Sequence, residues 1–145
     1  MAHKEKLVII PTYNEKENIE KMINKVMSLP GDFNLLIVDD GSPDGTAQIV
    51  KNLQNQYTER IHIVERAGKQ GLGTAYIAGF RWALEHGFEY IFEMDADFSH
   101  NPEDLIQLHE ACANGADLAI GSRYIRGVNV VNWPIGRVLM APRRW

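Results

Sequence analysis

Short, uninterrupted apolar runs recur along the chain, and between them the apolar positions fall at helical spacing. Leu7-Val8-Ile9-Ile10, ended by Pro11, has the character of a strand buried on both faces. Asn14, with Glu17 three residues on, resembles a helix start, and Ile19, Met22, Ile23, Val26 and Met27 then repeat along one helical face. A second strand is expected over Phe33 to Val38, closed by Asp39-Asp40-Gly41-Ser42-Pro43-Asp44-Gly45 and followed by a helix through Val50 and Leu53. Ile61 to Val64 gives a third strand. The helix after it carries Leu72, Ala75, Gly79, Trp82 and Ala83 on one face, and its small residues permit close packing on a sheet. Tyr90 to Met94 is the fourth strand, and the next helix has Asn101 as cap, Pro102 at its first position, and Leu105, Leu108 and Cys112 as its apolar face. Leu118 to Ile120 is the fifth strand. Val128 to Trp145 contains no pattern that supplies partners for its apolar residues, so the domain is expected to be cut short at its C-terminal end.

Strands alternating with helices predict an α/β fold, with a doubly wound, mainly parallel sheet and right-handed crossovers. With 145 residues, 45% of them hydrophobic and 23% charged, the chain has the material for one globular core, and residues 1–145 are expected to form one domain. A formal net charge of −4 argues against a surface built to grip nucleic acid, so any anionic ligand must be held by local groups. The single cysteine, Cys112, excludes an internal disulfide framework and a multi-cysteine zinc site, and its place on an apolar helical face marks it as core. Met-Ala-His-Lys-Glu-Lys leads directly into a strand without the pattern of a signal peptide, which points to a cytoplasmic protein. No apolar run approaches the roughly 18 to 20 residues needed to cross a bilayer, so contact with a membrane is expected to be peripheral.

In an open parallel sheet, ligands bind beyond the carboxyl ends of the strands, where loops and helix N-termini converge. Here those ends are Pro11-Thr12-Tyr13-Asn14-Glu15, Asp39-Asp40, Glu65-Arg66-Ala67-Gly68-Lys69-Gln70-Gly71-Leu72-Gly73, Asp95-Ala96-Asp97 and Gly121-Ser122-Arg123. Asp95 and Asp97 are the sharpest signal. Alternation along an extended chain sets both carboxylates on one side with Ala96 away, and hard oxygen ligands at that spacing suit Mg²⁺ or Mn²⁺ completed by phosphate oxygens. The bland alternative is a turn or helix cap shaped by aspartates, but their position after an apolar strand favours the site.

Asp39 and Asp40 have the place from which an acidic residue accepts hydrogen bonds from a ribose or base, whereas Asp44 belongs to the turn. Lys69 can pair with phosphate oxygens while Gly68, Gly71 and Gly73 let backbone amides approach, although the loop is neither a P-loop nor a dinucleotide fingerprint. Arg123 and Arg137 are candidates for holding phosphate, with a solvated surface role as their alternative. His100 beside the acidic pair is more simply a local helix-entry residue.

Taken together, Pro11-Thr12-Tyr13-Asn14-Glu15, Val38 to Thr46, Gly68-Lys69-Gln70-Gly71-Leu72-Gly73, Met94-Asp95-Ala96-Asp97 and Gly121-Ser122-Arg123-Tyr124 resemble the polyprenol (dolichol) phosphate mannosyltransferases, which are family-two inverting glycosyltransferases of GT-A fold. The resemblance spans about residues 7 to 140. It implies a Rossmann-like nucleotide-sugar-binding domain whose acceptor part is incomplete. Pro11, Tyr13, Glu15 and Asp40 would surround base and ribose, Lys69 would lie near the diphosphate, and Asp39, Gly71 and Ala96 are counted with this donor-binding set. Asp95 and Asp97 would hold the cation. Arg123 and Arg137 would bind the phosphates of donor and acceptor, and with Asp97 they form the expected catalytic set.

The implied reaction moves mannose from GDP-mannose to a polyprenyl phosphate at a membrane surface. Two departures stand out: Ser99 occupies a position where the family often has glutamine, and the stretch Trp133 to Ala141 ends in alanine where the family has serine. Transfer from another nucleotide sugar such as UDP-glucose, or nucleotide binding without transfer, are the alternatives. A nicotinamide-dependent oxidoreductase lacks its glycine fingerprint after the first strand.

Overall fold

In the computed structural model, which describes residues 6–68, 70–98, 101–113, 118–120 and 129–132, Lys6–Thr12 forms a central strand, β1, whose first five residues are buried. Its neighbours are Asn34–Asp39 (β2) and Tyr90–Glu93 (β4), both parallel to it, and Ile61–Glu65 (β3) lies parallel beyond β2. Alternate residues of β1 enter two separate cores. Val8 and Ile10 join Ile19, Met22, Ile23, Val26 and Met27 of helix α1 (Ile19–Ser28), Val50 and Leu53 of α2 (Thr46–Gln54), and Leu105 and Leu108 of α4 (Asp104–Ala113). Leu7 and Ile9 face Ala75, Tyr76 and Ala83 of α3 (Leu72–Glu85). Helices therefore cover both faces, and each fully buried aliphatic side chain contributes about 1.5–3 kcal/mol of gross hydrophobic stabilisation. The doubly wound expectation is met.

The α3 face is fitted to the sheet by its small residues. A Cβ added to Gly79 would lie 2.6 Å from Cγ2 of Ile9, so only a glycine lets the helix approach β1 this closely.

Two expectations are corrected. Helix α1 starts at Ile19 with Asn18 at its N-cap, not at Asn14, which has a left-handed φ of 56°. The cause is tertiary: the amides of Asn14, Glu15 and Lys16 donate to Ser42 Oγ (2.8 Å), Thr46 Oγ1 (3.1 Å) and Asp44 Oδ2 (3.1 Å), drawing the segment onto the loop after β2. The C-terminal stretch expected to lack a partner also supplies a strand. Asn129–Asn132 (β6) pairs antiparallel with β4 and with Leu118–Ile120 (β5), giving the sheet order β3-β2-β1-β4-β6-β5. Two valines between asparagines are too short an apolar run to signal a strand. At α4, Asn101 acts as expected at the entry, its Oδ1 accepting from the Glu103 amide at 3.0 Å, although the helix proper begins at Asp104. The side chain of Cys112 lies outside the described residues.

Candidate functional site

The carboxyl ends of β1, β2 and β4 and the N-terminus of α3 meet at one crevice of about 390 Å³. Pro11, Thr12, Tyr13 and Glu15 come from the end of β1, Asp40 from β2, Gly71 and Ala75 from the start of α3, and Asp95, Ala96 and Asp97 from the exit of β4. Of the residues singled out from the sequence, Pro11, Tyr13, Glu15, Asp40, Gly71, Asp95, Ala96 and Asp97 are thus brought together. Lys69, His100, Arg123 and Arg137 lie outside the described residues.

Asp39 and Asp40 are adjacent but differently employed. Asp39 is 1% exposed and does not line the crevice. Its carboxylate accepts from Thr12 Oγ1 (2.7 Å), Ser42 Oγ (2.7 Å) and the Ser42 amide (3.0 Å), which binds the tips of β1 and β2 to each other. Asp40 faces the crevice, and its amide donates to the Thr12 carbonyl at 3.0 Å.

The partner of the Asp40 carboxylate is Arg66, a residue the sequence showed only as part of a loop. Arg66 Nε donates to Oδ1 at 2.6 Å and Nη2 to Oδ2 at 2.8 Å, a two-pronged pair that is largely shielded from water. The hydrogen bond that Arg66 donates to Asp40 raises the Arg66 pKa above its already high value, so the guanidinium stays charged. The pair follows from the strand register and not from a pattern in the sequence. Parallel register opposes Asp39 to Glu65, and one further step along both strands brings Asp40 beside Arg66.

Strand pairing ends at Glu93, and Ala96 and Asp97 sit in a turn followed by Phe98 at φ 60°. Asp95 and Asp97 therefore reach the same crevice through a turn, not through the strand alternation expected from sequence. Ala96 is 3% exposed and packs its methyl into the core beneath. Asp95 is half-buried, and its Oδ1 accepts from Tyr76 Oη at 3.1 Å, a second functional contact that sequence reasoning missed. Tyr76 is hidden among the apolar positions of α3, where its hydroxyl gives no periodic signal.

Negative charge is concentrated here. The Glu15 pKa is raised, first by desolvation and then by the charges of Asp97, Asp44 and Asp95, against a lowering hydrogen bond from Asn18. At Asp44 desolvation also acts upward. There the hydrogen bonds from Thr46 and from the Lys16 amide outweigh it, and the net shift is downward. The share of the Glu15 rise due to Asp97, Asp44 and Asp95 reflects a crowding of carboxylates, and such crowding favours a cation. Among the described residues no group of three or more His, Cys, Asp or Glu side chains forms a complete metal cage. Two hard carboxylates at the crevice, with remaining ligands from phosphate and water, are the donor set that suits Mg²⁺ or Mn²⁺, so the residues present fit the ion.

The chain is 49% identical over 135 residues to the polyprenol monophosphomannose synthase of Mycolicibacterium smegmatis, covering 93% of this chain and 51% of that protein. It is 45% identical to the undecaprenyl-phosphate mannosyltransferase of Micrococcus luteus, covering 93% of this chain and 55% of that one. The chain thus spans about half the length of these curated relatives. Among solved structures, the fold matches the mannosyltransferase PcManGT of Pyrobaculum calidifontis, determined with GDP-Man and Mn²⁺, with TM-score 0.69 and 20% identity over 87% of this chain and 44% of that one. The GT-A architecture expected from the sequence is met. Residues 7–144 match the glycosyl transferase family 2. With that match spanning nearly its whole length, the chain belongs to glycosyl transferase family 2.

Proposed function

We propose that residues 1–145 form the nucleotide-sugar-binding part of a catalytic domain that moves mannose from GDP-mannose to a polyprenyl phosphate with inversion of configuration. The observation that carries this reading is the meeting of Tyr13 and Asp40 with Asp95 and Asp97 at one crevice, which supports a nucleoside contact beside two carboxylates suited to a metal. Relatives named for mannosyl transfer to polyprenyl carriers support the choice of donor and acceptor.

Tyr13, 37% exposed at the rim, offers its ring to the base, and Asp40 accepts a hydrogen bond from the nucleoside. Asp95 and Asp97 would hold Mg²⁺ or Mn²⁺, which would supply positive charge against the departing diphosphate. Ala96 and Gly71 let the donor approach the backbone, since neither carries a side chain beyond Cβ. Lys69 would pair with the diphosphate, and Arg123 and Arg137 would hold donor and acceptor phosphates, as the family resemblance implies.

In the reaction an acceptor phosphate oxygen attacks the anomeric carbon, the bond from that carbon to the diphosphate oxygen breaks, and the electron pair leaves with GDP. An acceptor phosphate is already ionised near neutral pH, its second pKa being about 6, so no strong general base is required. Asp97 accordingly serves the cation and not proton abstraction. The acceptor is a lipid, so the reaction is assigned to a membrane surface, with peripheral contact. Among the described residues no helix is long and apolar enough to cross one.

Calorimetric titration of this chain with GDP-mannose and with UDP-glucose, in Mn²⁺, tests the donor. Tighter binding of GDP-mannose is expected. Preference for UDP-glucose overturns the donor assignment, and binding of neither overturns the site.

A further inference from the structure

We infer that Arg66 is a positioning residue for nucleotide recognition, which acts by fixing the Asp40 carboxylate at the crevice wall and tying it to the first turn of α3. The inference rests on the reading that the crevice takes a nucleotide, and goes beyond it by assigning a role to a residue that does not line the crevice.

The guanidinium reaches two segments, the end of β2 and the start of α3, and the backbone amide of Arg66 adds a further contact. Nε and Nη2 hold the two oxygens of Asp40 after β2, Nη1 donates to Thr74 Oγ1 at 3.1 Å in α3, and the Arg66 amide donates to the Asp39 carbonyl at 2.8 Å. Nη2 also lies 3.5 Å from the carbonyl of Gly71, a residue of the crevice wall. Thr74 in turn donates to the carbonyls of Gln70 and Gly71, at 2.9 and 2.8 Å. One side chain therefore links the nucleoside side of the crevice to the glycine-bearing loop that opens α3.

A shielded ion pair is weak evidence of a stabilising role, because desolvating two charges costs about as much as their attraction returns. The side chains of Arg66 and Asp40 are 12% and 8% exposed, which places the pair in that regime. What a two-pronged pair supplies is orientation. Arginine occupies the end of the carboxylate with both prongs, so Asp40 offers the ligand only the outward lone pairs of its two oxygens, in fixed directions. An acceptor of that kind suits ribose hydroxyls or base N–H groups, and its fixed direction lowers the ordering cost of binding. Lysine cannot reproduce the arrangement, since its ammonium is a point charge without a fork.

The test is a double-mutant cycle in nucleotide binding, with Arg66→Lys, Asp40→Asn and both together, titrated with GDP and UDP. Arg66→Lys is expected to weaken GDP binding about tenfold while leaving Mn²⁺ affinity unchanged, and to add nothing further in the Asp40→Asn background. Thr74→Val, at an exposed position, slackens Arg66 without removing it and should weaken GDP about threefold with the fold intact. Unchanged GDP affinity in Arg66→Lys, or losses that simply add, overturns the inference. So does loss of the far-UV circular dichroism spectrum in Arg66→Lys, which would make the pair a staple of the fold. Tighter wild-type binding of UDP overturns the GDP reading alone, because the cycle then decides the role of Arg66 with UDP. Binding of neither nucleotide overturns both.

Discussion

Tyr76, from the helix on one face of the sheet, donates its phenolic hydrogen to Oδ1 of Asp95 at 3.1 Å, and so fixes one carboxylate of the candidate metal pair from behind. Tyr76 is 5% exposed and belongs to the α3 core, which makes the donor rigid. Partners of this kind orient metal ligands, and their removal typically costs tenfold or more in metal affinity. Because Asp95 is only half-buried, water replaces part of the lost contact. Tyr76→Phe is therefore expected to weaken Mn²⁺ binding by about threefold to tenfold, measured by calorimetry with GDP present, while thermal stability changes by less than about 1 kcal/mol. Unaltered Mn²⁺ affinity would show that Asp95 needs no such support.

Gly79 offers a test of how the helix rests on the sheet. Alanine gains about 1 kcal/mol of helix propensity over glycine, so a loosely packed site would be stabilised. Here the new methyl meets the side chain of Ile9 at 2.6 Å, and overpacking of that kind costs about 1–3 kcal/mol, occasionally more. Steric cost is expected to win. Gly79→Ala should lower the urea midpoint with unchanged slope, and a raised midpoint would contradict the close approach of α3 to β1.

Asp44 gives a pH dependence with a definite sign. Its pKa is lowered from 3.8 in the folded chain, so the folded state binds fewer protons than the unfolded one in the window just below 3.8. Its contribution to stability is then present above 3.8 and is lost as the pH falls through the folded value. Asp44→Asn, which removes the charge accepting from the amides of Lys16 and Thr46, should be less stable than wild type at pH 7. The difference should shrink as the pH drops below 3.8, and a gap that stays constant down to pH 2 in denaturant titrations would refute the assignment.

The sequence disclosed the strand tips because parallel strands buried on both faces are nearly all apolar, so the polar residues that end them stand out. Pro11, Asp40 and Asp95 were visible in this way. Arg66 was not, since its role depends on the register between β2 and β3, which places it beside Asp40. Asn14 misled for a related reason: its capping pattern with Glu17 is local, whereas the hydrogen bonds to Ser42, Asp44 and Thr46 that hold the segment come from a loop far along the chain. The strand Asn129–Asn132 was missed because its pairing with β4 and β5 is made by the backbone, which leaves little trace in side-chain pattern. Asp39 and Asp40 looked equivalent, and only the packing of Thr12 and Ser42 around Asp39 separated a structural carboxylate from a crevice-facing one.

The central claim is that Asp97 contributes a ligand to a cation that bridges the protein and a nucleoside diphosphate at this crevice. Calorimetric titration with GDP, with and without Mn²⁺, on wild type and on Asp97→Ala tests it most directly. Mn²⁺ is predicted to tighten GDP binding by wild type by about tenfold or more and to leave the variant at its metal-free affinity, with circular dichroism unchanged. Equal enhancement by Mn²⁺ in a folded Asp97→Ala chain would contradict the account.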